Sequence, residues 1–487
     1  MNGNEGFKSL IYAVRLPVLA RLGGRLAWVL ALLCVPPMGV AIWFGEFDYL
    51  ISFATIMIML CVFAWLTRTL PDPKHLMRSE GFVLTCSAFI FTPVILSFAL
   101  WPSGLSCEDR LFESVSAATT TGLSILTHVA SADKTLLFTR AWMQWFGGLG
   151  IVILSVTFLM QKPQAAYQLL APSEDQGLVS STIAYAKRSL IVYVWLSLFA
   201  VLVCWVAIGD SFQGMIHGLS AISTGGFSGF NDSLTSLSFG AQMAVMSVGV
   251  AGAISLMVYV HAWRRSWKHI AANQELTGFI WILLATCSAL TLFAWLAGNT
   301  GGESLKAGLI MGLSAISSTG FTMMDTNAMS APFKLMLVMA MFLGGCTGST
   351  AGGFKIFRLL VLLQLLLATL RRASAAQHAV IEPRVQGRVI SEEQIQMVML
   401  TGSLLVMLCL LSWLPFVIYG YDPLDALFEV VSAVGTVGLS SGITQTALET
   451  PLKWILCIDM VAGRVEVLAF VCLFYPGLWV GHRNTTP

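Results

Sequence analysis

An all-α polytopic membrane protein is the fold class the sequence predicts. Four pseudo-symmetric repeats of helix, pore helix, filter strand and helix would surround one central pore, behind an N-terminal two-helix hairpin. Three observations predict it. The chain of 487 residues is 56% hydrophobic and only 11% charged, with a mean hydropathy of +0.79, a balance no water-facing surface carries. Apolar windows of spanning length recur along the chain, and one short motif rich in serine, alanine and glycine returns four times between them.

Crossing roughly 30 Å of hydrocarbon takes about 20 apolar residues in a helix. Ten windows meet that length: 26–44, 49–66, 81–101, 141–160, 190–208, 239–260, 277–297, 333–353, 397–419 and 454–478. An eleventh stretch, 359–370, is too short to span and is expected to prolong the eighth helix toward water. No small-residue cleavage site closely follows the first window, which therefore reads as a retained anchor and not a signal peptide. The ten cysteines form no CxxC pair; all but Cys107 lie in apolar runs or, for Cys346, in a glycine loop, and read as buried thiols. A net charge of +2 gives no reason to expect nucleic acid as a partner.

The basic residues matter by position. With a cytoplasmic N-terminus, the cytoplasmic segments hold twenty Lys and Arg, among them Lys8, Arg15, Arg21, Lys74, Arg78, Lys162, Lys187, Arg264, Lys355, Arg371, Arg388 and Arg483. The opposite side holds six: Arg110, Lys134, Arg140, Lys306, Lys334 and Lys453. Arg464 alone falls in the middle of a window. The positive-inside rule then puts both termini in the cytoplasm.

The fourfold motif reads SAATTTGLS from Ser116, SAISTGGFS from Ser220, SAISSTGFT from Ser314 and SAVGTVGLS from Ser432. Its glycines, Gly122, Gly226, Gly320 and Gly438, stand 104, 94 and 118 residues apart, room for two spanning helices and a shorter one per unit. Each motif follows a semi-apolar stretch too short to cross, such as 108–118 or 424–434, which reads as a re-entrant pore helix. Irregular backbone at membrane depth survives only where it is buried in protein or lines water, so four such loops point to a shared aqueous axis. An extended strand whose carbonyls replace an ion's water shell selects cations with no ionised side chain. Glycine permits the positive backbone angle this needs, and the negative C-terminal ends of the pore helices favour a cation beneath.

On these residues the sequence resembles the Trk/Ktr/HKT potassium transporter superfamily over residues 81 to about 480. The extra helix pair at 26–66 is similar to the TrkH-like branch. The fourth strand, Thr436-Val437-Gly438-Leu439, also resembles the filter of tetrameric potassium channels without its last glycine. The resemblance implies potassium uptake across the bacterial inner membrane, with K+ as the transported ion and no organic cofactor. It assigns the filter to Thr120, Thr121, Gly122 and Leu123; Thr224, Gly225, Gly226 and Phe227; Ser318, Thr319, Gly320 and Phe321; and Thr436, Val437, Gly438 and Leu439. Glycine at all four repeat positions goes, in that family, with potassium preference. Gly225 departs from the bulkier Thr or Val of the other copies, so the ring is expected to be asymmetric and less selective than a fourfold channel. The expected organisation is an N-terminal transmembrane hairpin at 1–80 and pore repeats at 81–175, 176–276, 277–376 and 377–487.

The end of the eighth window and the two residues after it read Gly344, Gly345, Cys346, Thr347, Gly348, Ser349, Thr350, Ala351, Gly352, Gly353, Phe354 and Lys355. Each glycine costs about 1 kcal/mol relative to alanine in a helix interior, so the run should split the span. By resemblance it is an intramembrane gate; a close-packing kink is the alternative. A phosphate loop does not fit, because Phe354 stands where the Walker lysine belongs and Ile follows Lys355. Arg464, in mid-window, needs a partner or water at that depth, and Asp459 and Glu429 are the candidates. By resemblance it is a pore charge below the filter; a buried ion pair fixing register is the alternative. Glu113 and Glu429 stand three residues before the motif serine, where the other copies have His217 and Met311, a variation suited to anchoring a pore helix. Trp101, Trp142, Trp145 and Trp454 read as interfacial anchors.

Two rivals remain at this point. An ion-coupled secondary transporter, such as a potassium/proton symporter, also breaks helices at the midplane, but with two inverted repeats. A membrane-embedded enzyme would need an acid, base or metal constellation, and beyond Arg464, Asp459 and Glu466 none is evident. No cytoplasmic loop is long enough for a regulatory domain. The resemblance implies a cytosolic nucleotide-binding subunit of the TrkA type and a homodimer.

Overall fold

The computed structural model describes residues 13–71, 77–160, 182–324, 326, 329–375 and 381–479. Lys8, Lys74, Lys162, Arg483, the Arg78 side chain and the expected boundaries at 175/176 and 376/377 lie outside these residues. The regular structure of the described residues is helical apart from one hairpin of two-residue strands. In order, α1 (Leu16–Leu33), α2 (Val35–Phe44), α3 (Phe47–Thr67) and α4 (Arg78–Ala99) precede α5 (Cys107–Ala118) and α6 (Lys134–Met160). Next come α7 (Thr182–Ile208), α8 (Ser211–Ile222), α9 (Phe239–Ala253), α10 (Leu256–Trp263) and α11 (Trp267–Ala271). The third quarter holds α12 (Gln274–Leu296), α13 (Gly301–Ser317), α14 (Ala331–Leu343) and α15 (Ile356–Ser374). Strands β1 (Arg384–Val385) and β2 (Arg388–Val389) then pair antiparallel across Gln386 and Gly387, whose positive φ angles of 53° and 76° suit a tight hairpin turn. Finally come α16 (Glu392–Ile418), α17 (Pro423–Val434), α18 (Thr450–Arg464) and α19 (Val467–Leu473).

Among the described residues, six helices are long and apolar enough to cross a membrane, and α9 with α10 makes a seventh if the bent pair is one span. The lateral surface is inverted relative to a water-soluble protein. Val206 and Ile418 are 77% and 72% exposed, while Thr120, Thr224, Ser318 and Thr436 are fully buried. Only a hydrocarbon solvent makes that arrangement favourable.

Local chemistry sets the helix ends. Asp210, Asn273, Asp422 and Ser391 accept backbone N–H groups in the first turns of α8, α12, α17 and α16, satisfying donors a helix leaves orphaned. Gly45 closes α2 in the left-handed region.

Two windows read as single spans, 239–260 and 454–478, are interrupted, and the eighth divides as its glycine run predicts. The window 239–260 divides at Ile254-Ser255 into α9 and α10, bent by 91°. The eighth ends at Leu343 and the helix resumes only at Ile356, so 359–370 belongs to a separate helix and does not extend α14. The last stops at Arg464 and resumes at Val467, with Glu466 at φ 68°. Arg464 is thus the final residue of a helix and not a mid-helix charge.

The chain divides into two compact units, residues 1–115, 132–139 and 465–487, and residues 116–131 and 140–464. In the first, α1 packs on α3 and α19 on α4. Arg15 Nε donates to buried Glu80 at 2.7 Å, and Glu80 also accepts the Met77 N–H at 3.0 Å. Glu46 accepts the N–H groups of Lys134 and Thr135 at 2.9 and 2.8 Å, and Tyr49 donates to Asp133 at 2.9 Å. In the second, each short helix lies against a long one: α8 on α7, α13 on α12 and α17 on α16. Trp145 is half-buried; its indole donates to Ser197 at 2.7 Å and its ring stacks on Trp142 and Tyr193. Trp101 and Trp454 are exposed.

Candidate functional site: four glycine strands, a loop and an arginine

The short helices α5, α8, α13 and α17 end in the same way. The Ser116, Ser220, Ser314 and Ser432 carbonyls accept the N–H of Thr121, Gly225, Thr319 and Val437 at 2.9, 2.8, 3.1 and 2.9 Å. The alanine carbonyls next along accept from Thr120, Thr224, Ser318 and Thr436. This is the Schellman pattern of helix termination, with the left-handed residue normally filled by glycine. Here it is Thr or Ser, at φ 55°, 54°, 56° and 48°, a conformation costing about 1 to 2 kcal/mol per residue. Strain repeated at four matching positions marks a common geometric demand.

Two residues on, Gly122, Gly226, Gly320 and Gly438 have φ of 89°, 77°, 72° and 93°. A Cβ on Gly122 would run into the Gly225 carbonyl oxygen, one on Gly226 into that of Thr319, one on Gly320 into that of Val437, and one on Gly438 into that of Thr121. The contacts close in a ring, first strand to second, third, fourth and first again. All four strands lie in the second unit. Leu123, Phe227, Phe321 and Leu439, the last residue of each strand, bury their side chains in the core, so only their backbone is available to the ring.

Thr120, Ser318 and Thr436 share one further property: their hydroxyls are buried and have no hydrogen-bond partner among the described residues. The matching Thr224 hydroxyl donates to the Ser223 carbonyl at 2.7 Å. Buried polar groups are nearly always satisfied, and three equivalent exceptions call for a polar occupant such as water or an ion.

In the second, third and fourth copies the residue three before the motif serine bonds the segment that follows the strand. Glu429 accepts from Ser440 Oγ and Ser441 N at 2.8 Å, Thr444 N at 3.0 Å, Ser441 Oγ at 3.1 Å and Thr444 Oγ1. His217 bonds Ser228 Oγ at 3.0 Å, and Thr322 Oγ1 donates to Met311 Sδ at 3.7 Å. Glu429 and Asp459 are therefore not partners of Arg464, contrary to the expectation from sequence. Glu429 is committed to the strand beyond Gly438, and Asp459 Oδ1 accepts from Ser412 at 2.6 Å.

Arg464 is buried and donates instead to backbone carbonyls, to Thr350 at 2.6 Å and to Gly147 at 3.1 Å. Thr350 belongs to the glycine segment between α14 and α15. Gly344, Gly348, Gly353 and Lys355 there all have positive φ. The freed backbone groups find partners on the break between α9 and α10. Cys346 N donates to the Ala253 carbonyl at 3.0 Å, Thr350 N to Gly252 at 3.2 Å, and Leu256 N to Gly348 at 3.2 Å. Thr350 Oγ1 reaches the carbonyls of Gly252 and Ile222, and Glu275 accepts the Thr347 N–H at 2.6 Å. Lys355 Nζ turns back to the Ala351 carbonyl. The broken spans are thus two breaks pairing with each other, which resolves the hydrogen-bonding problem each has alone.

Sequence reasoning missed Gln144 and Glu275. Gln144 carries the sole amide side chain in the window 141–160, and Glu275 is the acid opening an otherwise apolar helix; both were available as signals.

Apolar helices facing outward, with hydroxyls, irregular backbone and an arginine gathered inside, define a multi-pass membrane protein of the transport class. The chain belongs to the TrkH family, described as cation transport proteins, which matches it over residues 50–297 and 277–478. It is accordingly a transport protein and not an enzyme. It is 27% identical over 480 residues to the Trk system potassium uptake protein TrkG of Escherichia coli strain K12, covering 95% of this chain and 98% of that protein. It is 29% identical over 474 residues to the Trk system potassium uptake protein TrkI of Halomonas elongata, covering 93% and 94%. The crystal structure of the potassium transporter TrkH from Vibrio parahaemolyticus has the same fold, with a TM-score of 0.86 at 23% identity over 96% of this chain and all of that one.

Proposed function

We propose that the protein takes potassium into bacterial cells across the inner membrane, through a ring of backbone oxygens formed by Thr120–Leu123, Thr224–Phe227, Ser318–Phe321 and Thr436–Leu439. The observation that carries this reading is the closed ring of four glycine contacts with unpartnered hydroxyls at three of its four matching positions. Carbonyl and hydroxyl oxygens at fixed spacing replace an ion's hydration shell, and their partial charges favour a monovalent cation over an anion. The relatives named for potassium uptake supply the ion.

In this reading the chain forms four pseudo-symmetric repeats about one pore, at 81–175, 176–276, 277–376 and 377–487, behind a hairpin at 1–80. Ten spans leave both termini cytoplasmic. Residues 344–355 form the gate, with Arg464 holding it through Thr350 and setting a positive charge below the ring. A homodimer docks a cytosolic nucleotide-binding subunit of the TrkA type, which supplies the control that the short cytoplasmic loops lack.

Rubidium-86 uptake into liposomes holding the pure protein tests the reading. Potassium should compete with the tracer far better than sodium, and Gly122→Ser should erase much of that difference. Equal competition by sodium in the unaltered protein would overturn the filter assignment. A potassium/proton symport is the second reading, favoured by Asp459: it is buried in α18, and its Oδ2 has no hydrogen-bond partner among the described residues. Acidification of the liposome lumen in step with rubidium entry would select it.

A further inference from the structure

Gln144 in α6 is fully buried and meets the second glycine strand at its point of departure from the others. Its Oε1 accepts from Ser220 Oγ at 2.7 Å and from the Phe227 N–H at 3.3 Å, and its Nε2 donates to the Gly225 carbonyl. The amide orientation follows from chemistry: the Phe227 N–H can only donate, so oxygen must face it and nitrogen must face the carbonyl. A Cβ on Gly225 would run into the Gln144 side-chain amide. Gln144 therefore occupies the space that a side chain at 225 would fill.

The next strand uses the opposite combination. A Cβ at Gly249 of α9 would run into the Thr319 side chain, so there the strand carries the bulk and the helix carries the glycine. The two positions match in register. Gly147 and Gly252, each three residues after 144 and 249, both press against the carbonyl ending the preceding short helix, that of Ala118 and of Ile222. Glutamine facing glycine at one junction thus replaces glycine facing threonine at the next, with a difference that is chemical as well as steric. Gln144 supplies an N–H donor to one of the four ring carbonyls.

We propose that Gln144 is a positioning residue that also sets ion preference: it props the second strand in place of a side chain and draws on the Gly225 oxygen, weakening that oxygen's pull on a bound cation. This rests on the reading of the ring as the ion path. A carbonyl already accepting a hydrogen bond has less charge to offer, so freeing it should tighten cation binding by about fivefold, the size of one ordinary hydrogen bond.

The test is rubidium-86 uptake in liposomes with potassium and sodium as competitors, on variants checked for monodispersity by size exclusion. Gly225→Thr alone should lose uptake, because threonine meets the Gln144 amide. The pair Gln144→Gly with Gly225→Thr, copying the Gly249 and Thr319 junction, should recover it. Gln144→Met, which keeps the bulk without the donor, should lower the KM for rubidium about fivefold and shift the potassium-to-sodium ratio. Full uptake by Gly225→Thr alone, no recovery in the pair, or an unchanged KM and ion ratio in Gln144→Met would each overturn the proposal. Gly438→Ser separates the two levels of the argument. If it alters ion preference while the Gln144 variants do not, only this inference fails; if it too is silent, the ring is not the ion path.

Discussion

Arg464 takes its role from what it touches. Its guanidinium has two carbonyl partners and, among the described residues, no carboxylate, and both partners are backbone of irregular or closely packed segments. Replacing it removes a charge and a strut together. Arg464→Gln is expected to raise rubidium flux by about tenfold, since a charge-assisted hydrogen bond contributes about 1.5 kcal/mol or more. Flux within twofold of the parent, at equal protein per liposome, would leave Arg464 a packing residue. Glu429 illustrates the reverse case: its partners are all donors from the segment following its own strand, so its effect is on backbone position and not on ion charge.

At the scale of elements, irregular backbone is stabilised by pairing with other irregular backbone. The segment 344–355 holds the α9–α10 break through Cys346, Gly348 and Thr350, and Glu275 fixes it from the start of α12. Thr350 is the most connected residue there, with its N–H, hydroxyl and carbonyl all engaged. Thr350→Val keeps the shape and deletes the hydroxyl bonds to Gly252 and Ile222. It should free the segment by roughly 1 kcal/mol per bond lost and raise basal uptake in the absence of any cytosolic partner. Basal uptake equal to the parent's would argue that 344–355 is a static kink. Close packing follows the same economy of space: Gly147, Gly252 and Gly463 each lie against the last carbonyls of a short helix, and a methyl group at any of them would displace that helix end.

For the whole molecule, solvent inversion governs stability. Apolar side chains face lipid, so burial of apolar surface contributes little between helices, and polar links carry more of the specificity. Glu80 is the clearest such link in the first unit, fully buried and held by Arg15. Arg15→Met leaves that carboxylate with backbone N–H partners alone, and because the arginine side of the pair is only part-buried the loss is about 1 to 3 kcal/mol. Thermal unfolding in detergent should fall by several degrees, whereas Arg15→Met with Glu80→Met should recover most of the loss. An unchanged melting temperature in the single variant would show that the pair contributes nothing.

The sequence by itself determined the membrane class, the approximate windows, and the four strand motifs with their short preceding helices, because each depends on local composition or on a pattern repeated at near-constant spacing. Residues 108–118 and 424–434 were legible as short helices for that reason, and 344–355 as a break from its five glycines. Tertiary structure decided what periodicity cannot encode. The 91° bend at Ile254-Ser255 carries no glycine or proline at the break and arises where the segment 344–355 takes up its backbone groups. Arg464 chose carbonyls over Asp459 and Glu429 because those carboxylates were already committed to Ser412 and to the strand beyond Gly438. Gln144 met Gly225 across 81 residues of chain, a pairing fixed only when the helices pack, since no local rule connects a lone amide to a missing side chain elsewhere.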